Sequence, residues 1–256
     1  MAISVDNVYK TVLLILNKEQ RGYVTPEEFN RIGTQVQREI FEEYIQDLAQ
    51  QLRVPQNDNE YADRVKILEE KISPFKTSAD CTYNAAIGSV PGYFLGPTFT
   101  SVLAPNNSNP LTRIYKLGSV LYNDSTEAQR VNYNEYVELN NSNYTQPSTS
   151  FPIYLYEENV NQGNNKIIVY PQTIQNRIRI SYIKIPSDIL WDYTEVANTG
   201  AYVYAPTDSV WFELDNNEQS NVITRVLLYM GIVIQDPQII QIAAQQVQQE
   251  KINEKS

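Results

Sequence analysis

The residues with most chemical potential lie between the first two apolar stripes of the chain. Asn17, Glu19, Arg21, Gly22, Tyr23, Val24, Thr25 and Glu28 occupy positions one, three, five, six, seven, eight, nine and twelve of a calcium-loop frame. In that frame oxygen atoms surround the cation, the sixth residue is a glycine for the sharp turn, and the twelfth is a bidentate glutamate. Gly22 and Glu28 fit; Arg21 puts a guanidinium where an oxygen ligand is required. The same residues read without metal as an interhelical turn and a helix start. Thr25 caps, Pro26 takes the first helical position, and Glu28 reaches back to complete a capping box. That reading accounts for Gly22, Thr25, Pro26 and Glu28 without metal, and it is the one carried forward.

Four carboxylate pairs stand out: Glu27-Glu28, Glu42-Glu43, Glu69-Glu70 and Glu157-Glu158. Acid–base work of the glycosidase kind needs two carboxylates facing each other across a cleft. Neighbours on a helix point about 100° apart, and neighbours on a strand point to opposite faces, so these pairs read as solvated surfaces. A metal-independent hydrolase would need a distant pair that nothing in the sequence favours. Cys81 has no histidine to activate it, and Asp80 beside it raises a thiol pKa. Arg177 and Arg179, with Lys184, are expected on an exposed strand face balanced by nearby acids. Trp191 and Trp211, near Tyr193, Tyr202 and Tyr204, can make a sugar-stacking platform, but a core or subunit interface is the expected use. No Gly-rich phosphate loop, GxSxG or GxGxxG occurs.

Composition narrows the chemistry further. The 256 residues include no His and one Cys, which excludes imidazole catalysis, HExxH sites, multi-Cys metal sites and a disulfide framework. Thirty Asp and Glu against 20 Lys and Arg give a formal charge of −10, unsuited to gripping a phosphate backbone. Surface polarity rests on 25 Asn, 20 Gln and 19 Tyr, side chains that make contacts without the desolvation cost of charges. The opening MAISVDNVYK lacks a basic segment, and the apolar run 226–234 is short of the ~20 residues that span a bilayer. A soluble chain used without secretion is expected, with no cofactor and no membrane partner.

The elements come as helices, then strands, then helices. Residues 4–18 form a first helix with Val5, Val8, Val12, Ile15 and Leu16 on one face. Phe29, Ile32, Val36, Ile40, Tyr44, Leu48 and Leu52 define a second over 25–53, and a third covers 58–72. From about 80 the period changes to two. Val131, Tyr133, Val137 and Leu139 alternate, as do Ile178, Ile180 and Tyr182, and 153–156 with 167–170 read as a hairpin. Frequent prolines predict an antiparallel sheet with long loops, closed by Val210, Phe212 and Leu214. Helix returns after Asp215 and Glu218, apolar on most sides to about 235. A last helix over 237–252 carries only a narrow stripe: Ile240, Ala243, Ala244 and Val247. The fold class expected is α+β: a helical bundle from both chain ends (1–79 and 215–256) with an inserted antiparallel β domain (80–214).

Three segments carry a resemblance. VYKTVLLILNKEQRGYVTPEEFNRIGTQVQREIFEEYIQDL, IIVYPQTIQNRIRISYIKIPSDILW and MGIVIQDPQIIQIAAQQVQQE resemble head-to-tail adaptor, or connector, ring proteins of podovirus-type tailed phages, the crAss-like phages among them. The resemblance implies a non-enzymatic virion structural protein, assembled in the host cytoplasm as a homo-oligomeric, dodecameric ring below the portal. Its partners would be the portal and further tail or ring proteins, with DNA only as passing cargo. On this reading Ile239, Ile240, Ala243, Ala244 and Val247 dock on the portal, and Phe29, Ile32, Val36, Ile40 and Tyr44 pack subunits together. The alternative is a receptor- or glycan-binding virion module built on the Tyr- and Trp-rich β domain.

Overall fold

The computed structural model describes residues 2–18, 24–51, 64–85, 91–95, 114–159, 164–196, 201–234, 241 and 244–249. Its fold mixes helix and sheet in two compact units, Met1–Pro74 with Pro186–Ser256, and Phe75–Ile185.

The first unit opens with β1 (Ala2–Ile3), α1 (Val5–Lys18), α2 (Pro26–Gln51) and α3 (Arg64–Ile72). α1 buries Val5, Val8, Tyr9, Val12 and Leu16, a stripe at spacings of three and four. The capping box that starts α2 is reciprocal. The Thr25 N–H donates to the Glu28 carboxylate at 3.0 Å, and the Glu28 N–H donates to the Thr25 hydroxyl at 3.3 Å. α2 then buries Phe29, Gly33, Val36, Gln37, Ile40, Phe41 and Tyr44. Gly33 has a packing reason, since a Cβ there would lie 2.3 Å from Ile189 Cδ1. The expected third helix is present as α3; its first residues, 58–63, lie outside the described residues.

The second unit holds β2 (Lys76–Asp80), β3 (Thr82–Asn84), β4 (Tyr93–Leu95), β5 (Ile114–Tyr122), β6 (Thr126–Arg130), α4 (Tyr133–Asn140), β7 (Ile153–Asn159), β8 (Asn164–Tyr170) and β9 (Ile178–Lys184). One eight-stranded sheet runs β2-β9-β5-β6-β7-β8-β4-β3. Its two end strands, β2 and β3, are separated in sequence by Cys81 alone. A single run of chain therefore borders both ends and brings the sheet round to near closure. The inner face is filled by Phe94, Val120, Ala128, Tyr154, Ile167, Val169, Ile178, Ile180 and Tyr182, much as side chains fill the interior of a small barrel.

Two sequence expectations are corrected in this unit. The alternating run 131–139 is not a strand: Tyr133–Asn140 is helical. Asn132 and Glu135 form a capping box, the Asn132 N–H donating to the Glu135 carboxylate at 2.8 Å. Nor is the sheet wholly antiparallel, because β6 and β7 pair in parallel. A parallel pair needs a crossover connection, and the segment holding α4 supplies it. α4 lies over β7 and β8, where Tyr136 and Leu139 pack on Ile153, Leu155 and Ile168. The Tyr136 and Tyr170 rings stack at 4.2 Å. The hairpin expected around 162–165 pairs as predicted, Ile153 opposite Tyr170 through to Asn159 opposite Asn164.

The chain returns to the first unit with β10 (Tyr193–Glu195), β11 (Tyr202–Tyr204), β12 (Phe212–Asp215) and α5 (Gln219–Ile234). The inserted part thus ends at Ile185, not at 214. α2 explains why. Gln37, fully buried, donates from Nε2 to the Ser187 carbonyl at 2.7 Å and accepts from the Glu213 N–H at 2.8 Å. Asn30 and Thr34 accept from the N–H groups of Trp191 and Ile189 at 2.8 and 3.1 Å. Among the described residues β12 pairs with β1 alone, Ile3 opposite Phe212. α5 buries Val222, Val226 and Met230, as its apolar circumference predicts, and packs on α1 and α2.

Glu218 turns inward at the start of α5. Lys71 Nζ lies 2.9 Å from its carboxylate, and Asn221 Nδ2 donates to it at 3.1 Å. Burial pushes this carboxyl up, but Lys71, Asn221 and Tyr44 together outweigh that and hold its pKa below the usual glutamate range. A lowered folded pKa gives stability that is present above the unfolded pKa and lost as pH falls through the folded one. Glu218→Gln should therefore lower the urea midpoint at neutral pH and make its decline below about pH 4.3 shallower. Parallel acid limbs for the two proteins would refute that linkage.

Candidate functional site

The structure gives most of the candidate chemical groups a structural task. Glu28 is held by its own capping box, with the Thr25 hydroxyl donating to it at 2.9 Å, and its pKa is lowered first by the Thr25 N–H. Of the remaining calcium-frame positions, 19 and 21–23 lie outside the described residues. Glu43 accepts from buried Arg225, and Glu157 pairs with Lys166 at 3.1 Å. Burial and then Asp80 push the Cys81 thiol up to about 12, so it is neutral at physiological pH. Among the described residues no group of three or more Cys, Asp or Glu is placed to hold a metal ion. No helix among them is long and apolar enough to cross a membrane.

The basic cluster is partly as expected. Arg179 lies on β9 between Asp80 at 2.9 Å and Asp124 at 3.0 Å. Arg177 precedes the strand with φ 57°, and its guanidinium donates to Asn123 Oδ1 at 3.0 Å. The two arginines therefore do not share a strand face. Trp191 is buried in the first unit, in ring contact with Tyr9 at 4.4 Å, Tyr204 at 5.7 Å and Tyr193 at 5.9 Å. Its indole N–H donates to Asp6 at 3.1 Å. An indole enclosed in this way cannot present a face to a sugar, and it belongs to the helical unit rather than the barrel. Trp211 is 47% exposed.

The assigned partner surfaces fare differently. Phe29, Val36, Ile40 and Tyr44 are buried within the chain, and Ile32 is half-buried, so this stripe is not free to pack against another subunit. The correction has a simple cause: α3 and α5 of the same chain already cover α2. Ile239, Ile240 and Ala243 lie outside the described residues. Ala244 and Val247 are half-buried on a helical stretch, 244–249.

Two surfaces of the second unit were not legible as sites. Across β2, β9 and β5 the outward residues form rows, Lys76–Ile183–Lys116 and then Ser78–Ser181–Gly118. Two irregularities in β5 keep Ile114, Leu117 and Val120 inward despite their spacing of three, leaving Lys116 and Gly118 outward. The small second row leaves a groove of about 500 Å³. Gly118 keeps it open, because a Cβ there would lie 2.8 Å from Ser181 Oγ and 3.0 Å from its carbonyl oxygen. The second surface is the crossover around α4, where Tyr133 is 68% exposed, Tyr144 101% and Phe151 79%. In comparisons with known proteins, neither a protein-family model nor a curated protein sequence matches the chain.

Proposed function

We propose that this chain is a non-enzymatic virion structural protein, a head-to-tail adaptor whose copies form a ring below a portal, prolong the DNA channel and join the portal to the tail. The observation that carries this reading is the division of labour along the chain. Both ends build one helical unit, and residues 75–185 are inserted into it as a β unit. In finer terms the first unit is a helical bundle, with α1, α2, α3 and α5 around a shared core. A coaxial building block needs such a rigid body, and it needs no reactive centre.

Charge supports the same reading. A duplex passing through a channel slides when the wall repels phosphate and stalls when lysines hold it. A formal charge of −10 with abundant amides suits a conduit whose cargo is DNA. The enclosure of Trp191 weakens the glycan-binding alternative, which needs exposed stacking faces. Imaging of intact particles tests the proposal: density for this chain is expected as a ring on the portal axis. Density away from that axis, or absence from the particle, would refute it.

A further inference from the structure

We infer that the groove over β2, β9 and β5 of one copy receives the aromatic crossover around α4 of the next, so that the contact between copies is head-to-tail and runs through the β unit. This rests on the ring reading and says where its lateral contact lies.

The first support is position. Around the near-closed sheet, β9 at the centre of the groove is three strands from β7 by way of β5 and β6. Counting 76–84 as one run, it is also three from β8 by way of that run and β4. α4 lies on β7 and β8, so groove and crossover face opposite sides of the same barrel. A heterologous contact between two different sides of identical subunits propagates head-to-tail, giving a ring where the rotation per subunit closes and an open filament where it does not, and the ring reading supplies that closing rotation.

The second support is charge. Lys76 and Lys116 flank the groove with no carboxylate partner among the described residues. The crossover, 131–151, contains Glu135 and Glu138 and neither Lys nor Arg. On a chain of formal charge −10, copies repel over most of their surfaces, and this pairing is attractive. It therefore selects the register and direction of approach. The third support is shape. Tyr144 and Phe151 project from the crossover as large apolar groups, and the Ser78–Ser181–Gly118 floor leaves room for an anchor.

Sedimentation equilibrium on the full chain decides the matter. The unaltered chain should self-associate with rising concentration. Lys76→Glu with Lys116→Glu should weaken association at least roughly ten-fold, and adding Glu138→Lys to the same chain should recover part of it. Tyr144→Ser should weaken association in a salt-independent way, while circular dichroism confirms that each variant folds. Unchanged association on double lysine reversal overturns the inference, as does a reversal that Glu138→Lys does not relieve, or an unaltered chain that stays monomeric at millimolar concentration. None of these outcomes bears on where the protein sits in the particle, so failure here is distinct from failure of the adaptor reading.

Discussion

Glu43→Ala should cost the folded chain about 3 kcal/mol, more than Arg225→Met, although the two side chains form one ion pair. The asymmetry follows from burial. The Arg225 side chain is 9% exposed and that of Glu43 is 33% exposed. Removing Glu43 leaves a guanidinium enclosed between α2 and α5, with Asn221 Oδ1 accepting from its Nε at 2.7 Å but no facing charge of opposite sign at Glu43. Removing Arg225 instead leaves a carboxylate that water reaches, and Met keeps much of the packing volume, so about 1 to 2 kcal/mol is expected. The double variant should cost less than the sum. Urea unfolding of the three variants measures all of this; equal costs for the two single changes would show that exposure does not govern the seam. One turn further on, Tyr229 donates to Glu39. That bond first, and burial second, push the phenol up to about 12, so the seam stays hydrogen-bonded through neutral pH.

What could be read from the sequence was local. Val5, Val8, Val12 and Leu16 announced α1, the Thr25/Glu28 box announced α2, and the alternation Ile178, Ile180, Tyr182 announced β9 with its inward face. Failures came where two local patterns overlap or where a partner is distant. Val131, Tyr133, Val137 and Leu139 mimic a strand, yet Tyr133, Tyr136, Val137 and Asn140 also stand at helical spacing. The Asn132/Glu135 capping box decided between them, and it was visible in the sequence. The boundary at 185 was less accessible. Val210, Phe212 and Leu214 alternate like any strand, and nothing local says that Val210 bridges Leu190 while β12 pairs with β1 at the far end of the chain. Gln37 sits within an apolar stripe as an apparent interruption, and its two bonds to Ser187 and Glu213 span chain separations that periodicity cannot reach. The groove depends on strand order, so three residues from β2, β5 and β9 could not be joined beforehand.

Ending the chain after Gln235 should leave its unfolding within about 1 kcal/mol of the full chain and, on the adaptor reading, remove the proposed attachment to a portal. The first half of that expectation follows from burial among the described residues. α5 ends at Ile234, and among its described side chains Val222, Arg225, Val226 and Met230 are buried. Ala244 and Val247 beyond it are only half-buried. The second half follows from the composition of 237–252, a narrow apolar stripe among glutamines. A helix of about 16 residues is marginal in isolation and is stabilised by docking. Co-sedimentation with portal rings measures attachment, and Val247→Asp in the full chain removes one apolar contact while keeping the backbone, so a loss of at least roughly ten-fold is expected there too. Undiminished attachment of the truncated chain would move the portal contact to another surface and leave the adaptor reading to the particle images. Loss of folding on truncation would instead make the final helix part of the helical core.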